Sequence, residues 1–96
     1  MKKERVIEIL RENHDRMAEF HVKSLSIFGS VARDEATDKS DVDILVEFSE
    51  TIDLFKFAEL RLLLEEILGA KVDLVTRKGL RQEMREEVLK EAVDAA

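Results

Sequence analysis

The sequence predicts an α/β protein of the α+β type: a small mixed sheet of about three strands flanked by helices, in the order α-β-α-β-α-β-α. Three observations predict it. Residues 3–20 and 54–68 carry apolar residues at helical spacing. Residues 41–48 alternate with a period of two. Two further short apolar runs, 24–28 and 71–76, read as strands. A chain of 96 residues has material for one core, so residues 1–96 are expected to form a single domain. With 45% apolar and 40% charged residues, the composition is globular with a heavily charged surface.

Composition also removes several functions. There is no cysteine, which excludes disulfides and thiolate metal sites and fits a cytoplasmic protein. The charged start, Lys2-Lys3-Glu4-Arg5, shows no apolar h-region, so no secretory leader is expected. No apolar run approaches the ~20 residues of a membrane span, so no membrane partner is expected. The absence of tryptophan and tyrosine weakens single-strand binding by stacking. Net charge is −6, and the stretch Arg33–Asp53, with eight acidic and two basic residues, carries −6 by itself. Nucleic acid would be repelled there, so no direct nucleic-acid binding is expected. A divalent cation would be attracted; the bland alternative is a solvated acidic loop.

Taken in order, residues 3–20 read as one amphipathic helix, with Val6, Leu10, His14 and Met17 on its inner side and Ile7 and Phe20 flanking. His14 and His21 read as ordinary border residues rather than ligands. Ser24–Phe28 is the first strand, closed by Gly29, and Ser30 is placed to cap a short helix through Arg33. Asp34–Ser40 is a polar connection. Asp41–Phe48 is the second strand, with Val42, Ile44, Val46 and Phe48 on one face and Asp41, Asp43, Leu45 and Glu47 on the other. Asp53 is an N-cap for the helix Leu54–Leu68, and Gly69 ends it. That helix is apolar over more than a stripe, so it is either deeply packed or faces a partner. Lys71–Thr76 is the third strand. After Gly79, Leu80, Met84, Val88 and Ala92 mark a last helix to about Val93, with Met17 and Met84 read as packing. Arg77, Lys78, Arg81 and Arg85 form a basic group that could meet phosphate, an acidic partner or only solvent.

The chemistry concentrates between Gly29 and Val46. A glycine turn into a helix start suits phosphate. The strand period sets Asp41 and Asp43 on one face, with Cα atoms roughly 7 Å apart. Two aspartates at such positions sacrifice β-propensity and repel one another unless a cation or proton intervenes. With a lone Asp73 on the third strand, three carboxylates could hold two Mg²⁺ ions and leave room for phosphate. Other phosphate and metal motifs fail. There is no P-loop, and a calcium loop begun at Asp38 finds Asp43 and Ser49 where glycine and glutamate are required. Ser30 lacks the setting of a hydrolytic nucleophile.

Gly29-Ser30, Ala32-Arg33, Glu35-Ala36 and Ser40-Asp41-x-Asp43-x-Leu45-Val46, followed by Lys71-Val72-Asp73-Leu74-Val75, resemble the signature of the nucleotidyltransferase superfamily related to DNA polymerase β. The resemblance is greatest to its minimal nucleotidyltransferases, the antitoxin partners of HEPN-domain RNases, and it runs over residues 23–93. It implies the nucleotidyltransferase fold and a set of roles. Asp41, Asp43 and Asp73 would be catalytic and hold two Mg²⁺, Asp73 also helping to activate the attacking hydroxyl. Gly29 and Ser30 would bind the β and γ phosphates, and Arg33 a phosphate or the loop. ATP would give AMP to a protein hydroxyl, in that family a tyrosine of the HEPN toxin. Asp34 departs from the pattern, standing where glycine often follows the arginine; Gln82 stands where proline often occurs. Two other functions remain open: neutralisation of a toxin by binding alone, and modification of a small molecule with a helical partner. Association with itself or with another chain is open too.

Overall fold

The computed structural model describes residues 2–37 and 39–95. Asp38, inside the polar connection, lies outside the described residues. The elements are α1 (Lys3–Glu12), α2 (His14–Ala18), β1 (Val22–Phe28), α3 (Gly29–Ala32), β2 (Val42–Phe48), α4 (Leu54–Leu68), β3 (Val72–Thr76), α5 (Gln82–Glu91) and β4 (Val93–Asp94). The strands form one mixed sheet in the order β3-β2-β1-β4. β1 is antiparallel to β2 and to β4, while β2 and β3 are parallel. A parallel pair needs a long crossover, and α4 supplies it.

The period-two pattern sorts the sheet into two faces. Leu25, Ile27, Ile44, Val46, Val72 and Leu74 pack with Val6, Leu10 and Met17 of the N-terminal helices and with Leu60 and Leu64 of α4. On the other face Leu45 meets Leu80 and Val88 in a smaller cluster, with Phe28 and Val75 at its border. Asp43, Leu45 and Glu47 therefore look toward the side covered by α5. Glu47 ends there in ion pairs with Lys23 and Arg77.

α4 occupies the expected span. The Asp53 side chain accepts from the Lys56 N–H at 2.8 Å, and Gly69 adopts φ +65° with its N–H on the Glu65 carbonyl. Of the two readings of its broad apolar surface, deep packing holds for one side only: Leu60, Leu64 and Leu68 are buried, while Leu54, Phe55 and Leu62 are exposed.

Five further expectations are corrected. The first helix is interrupted at Asn13, whose Nδ2 donates to the Ile9 carbonyl at 2.8 Å and competes with the helical ladder. The cap of α3 is Phe28 in extended conformation, and Ser30 sits inside the first turn rather than before it. Met84 is 48% exposed, because α5 buries only Val88 against the sheet. The last helix stops at Glu91, and Val93–Asp94 form a fourth strand on Ile27 and Ser26. His14 and His21 are exposed, so His14 does not share the inner side with Leu10 and Met17 as its spacing suggested, and His21 Nδ1 lies 2.9 Å from Glu50.

Candidate active site

The antiparallel β1–β2 register sets Phe28 opposite Asp43. The parallel β2–β3 register sets Asp43 opposite Asp73. The Gly29-Ser30 turn and these two carboxylates thus meet at one end of the sheet. Asp41 stands just before β2 at the same end and is exposed, as is Asp73; Asp43 is half-buried.

Gly29 is where the arrangement is tightest. Its φ is +70°, a conformation that side chains resist. A Cβ built on it would overlap Asp43 Oδ2 and lie 3.1 Å from Cγ. The Asp43 carboxylate rests on a bare Cα, so glycine is required twice, for backbone conformation and for space.

Asp43 is also electrostatically displaced. Burial, then the charges of Asp73 and Asp41, push its carboxyl up to about 6, against a partial downward pull from Arg33. Among the described residues none of the three aspartates forms a salt bridge. Nor, among the described residues, are three such side chains already gathered into a metal-binding group. The donor chemistry fits a divalent cation nonetheless. Hard, uncompensated oxygens from two adjacent strands carry excess negative charge, and phosphate oxygens would complete a shell that they leave open.

Arg33, at the end of α3, is held by two carboxylates. Its Nε donates to Glu35 at 3.0 Å and its Nη1 to Glu91 at 2.9 Å. Glu35 and then Glu91 keep the guanidinium above its ordinary pKa. Sequence reasoning did not single out Glu91, which comes from α5, because no local spacing links it to Arg33. Asp34 has φ +56°, the left-handed conformation that glycine adopts most readily. The Asp34 side chain accepts from the Lys3 N–H at 3.2 Å.

Arg77, Lys78 and Arg85 line a separate groove of about 880 Å³ with Ile52, Leu54 and Phe57. None of the three aspartates lines it, so these basic residues are not part of the carboxylate site.

A model of the nucleotidyltransferase domain matches residues 3–95. The chain belongs to the nucleotidyltransferase family. It is a nucleotidyltransferase similar to the protein adenylyltransferase MntA of Thermococcus cleftensis, with 43% identity over 91 residues covering 94% of this chain and 92% of that one. A solved structure described as a candidate minimal nucleotidyltransferase shares 40% identity with it at a TM-score of 0.83, covering 97% of this chain and 95% of that one. The nucleotidyltransferase fold recurs at lower identity in two solved toxin–antitoxin complexes. One contains AMP-PNP (24% identity, TM-score 0.71, covering 100% of this chain and 73% of that one). The other holds a tri-AMPylated Shewanella oneidensis HEPN toxin with its MNT antitoxin (23% identity, TM-score 0.61, covering 98% and 68%). No helix among the described residues is long and apolar enough to cross a membrane.

Proposed function

We propose that this nucleotidyltransferase is a protein adenylyltransferase that transfers AMP from Mg²⁺–ATP to a tyrosine hydroxyl of a cognate HEPN-family toxin, in the cytoplasm, and thereby acts as the antitoxin. The observation that carries the reading is the Asp43 carboxylate seated on Gly29 and paired in register with Asp73. It joins a glycine turn that has no room for a side chain to a carboxylate pair on adjacent strands. The similarity to MntA supports the protein acceptor.

In the proposed reaction the acceptor oxygen attacks the α-phosphorus of ATP. The bond to the α–β bridging oxygen breaks, and pyrophosphate leaves. Asp73, exposed on its strand, accepts the hydroxyl proton and passes it to water. Gly29 admits the β and γ phosphates to the backbone, Ser30 lies beside them in the first turn of α3, and Arg33 offers its remaining N–H groups to the same phosphates. Asp41, Asp43 and Asp73 would hold two Mg²⁺, which supply positive charge at the attacking and leaving oxygens.

The test mixes the protein with α-labelled ATP, Mg²⁺ and a HEPN-family toxin from the same organism. Label on that protein, lost when its acceptor tyrosine is changed to phenylalanine, is expected. No label on the partner would refute the transfer. Neutralisation by contact is the second reading, favoured by the exposed Leu54, Phe55 and Leu62 of α4. It predicts that Asp41→Ala with Asp43→Ala still protects cells from the toxin, whereas the enzymatic reading predicts loss of protection.

A further inference from the structure

Arg33 is held through its side chain by contacts with Glu35 and Glu91. It comes directly after a four-residue helix, which gives little rigidity of its own, and its side chain is partly exposed. Two carboxylates fix its plane, and they differ. Glu35 is a near neighbour in sequence with 65% of its side chain exposed, while Glu91 is 27% exposed and arrives from α5.

Glu91 is in turn fixed by residues 92–95. The Ala92 N–H closes α5 on the Val88 carbonyl at 2.9 Å, and Val93 and Asp94 pair with Ile27 and Ser26. The Ala95 N–H then bonds the Leu25 carbonyl at 2.9 Å, with Ala95 fully buried. This strap lies on β1 just before Phe28 and Gly29. The last turn of α5 is thereby registered to the strand that presents the glycine turn.

From this geometry we infer that Glu91 is a positioning residue, which holds the Arg33 guanidinium in line with the Gly29-Ser30 turn for nucleotide phosphate. The inference rests on the nucleotide reading above. A guanidinium has five N–H donors, and the two carboxylates engage one at Nε and one at Nη1, leaving one at Nη1 and both at Nη2 for phosphate. Glu91 therefore orients Arg33 without occupying the donors that a phosphate would use.

Titration calorimetry of Mg²⁺–ATP on the full chain tests this. Glu91→Ala is expected to weaken binding about 10-fold, as loss of a charge-assisted hydrogen bond that orders a ligand-binding group would. Glu91→Gln, which keeps the shape and an acceptor oxygen, is expected to weaken it less. Arg33→Lys should lose a similar amount, and adding Glu91→Ala to it should cost nothing more, because the glutamate acts through the arginine. A merely structural ion pair would lower the melting temperature without this coupling in affinity. Unchanged or tighter binding by Glu91→Ala overturns the positioning role while leaving the nucleotide reading intact. A wild type that binds no Mg²⁺–ATP overturns the nucleotide reading, and this inference with it.

Discussion

Gly29→Ala separates two penalties that the structure superimposes at one atom. The first is conformational: at φ +70° an alanine costs about 1 kcal/mol. The second is steric, because the new Cβ overlaps Asp43 Oδ2. Forcing that carboxylate off its rotamer costs roughly 1 kcal/mol more. Together they amount to about 2 kcal/mol, or a fall of roughly 10 °C in melting temperature for a domain of this size. An Asp43→Ala background removes the overlapping atoms and keeps only the Asp43 Cβ, 3.4 Å away, an ordinary contact. There Gly29→Ala should cost only the conformational part, about 1 kcal/mol and roughly 5 °C. Four proteins followed by far-ultraviolet circular dichroism in a thermal and a urea series complete the cycle. An equal loss in both backgrounds would refute the close approach of Asp43 to Gly29, and with it the observation on which the active-site reading stands.

The raised Asp43 carboxyl predicts a pH dependence of definite sign. A folded-state pKa of about 6, above the ordinary 3.8, means that the folded protein holds this proton more strongly than the unfolded chain. The resulting stabilisation is full below about pH 4 and is lost as pH rises through about 6. A fully insulated group would contribute ~3 kcal/mol. Asp43 is only half-buried, and solvent screening reduces this to on the order of 1 kcal/mol. Metal-free Asp43→Asn should therefore be more stable than wild type by about that amount at pH 7.5 and equal to it near pH 4, as read from urea midpoints. Equal stability at both pH values would remove the electrostatic account of the site. Asp53→Ala, which deletes the cap of α4, should cost about 1 kcal/mol in the same urea assay and leave Mg²⁺–ATP affinity unchanged.

What could be read in the sequence was what short-range chemistry determines. Asp53 and Gly69 bound α4 because a cap and a left-handed glycine act within a few residues. The two faces of β2 were legible because a strand's period is independent of its neighbours. The break at Asn13 was not, since the apolar spacing runs through it while one side-chain hydrogen bond decides it. β4 is two residues long and exists only because β1 has a free edge to receive it. At the site, the residue types Asp41, Asp43, Asp73, Gly29, Ser30 and Arg33 could be named, and the topology brings them to one end of the sheet. Their mutual geometry could not, because Asp43 meets Asp73 only through the parallel register that α4 allows. Glu91 was invisible for the same reason: its meeting with Arg33 is made by tertiary structure alone.

β3 forms one edge of the sheet, and Asp73 stands on it, exposed. An open edge is a template on which another chain can add a strand, and a charged residue there is a usual defence. The opposite edge, β4, is two residues long and offers little to extend. Asp73 thus carries a second burden beside its proposed chemistry, since an incoming strand would have to bury its charge opposite new backbone. Replacing it by an apolar residue would do more than remove the proposed catalyst: it would take that charge away from an exposed edge of the sheet.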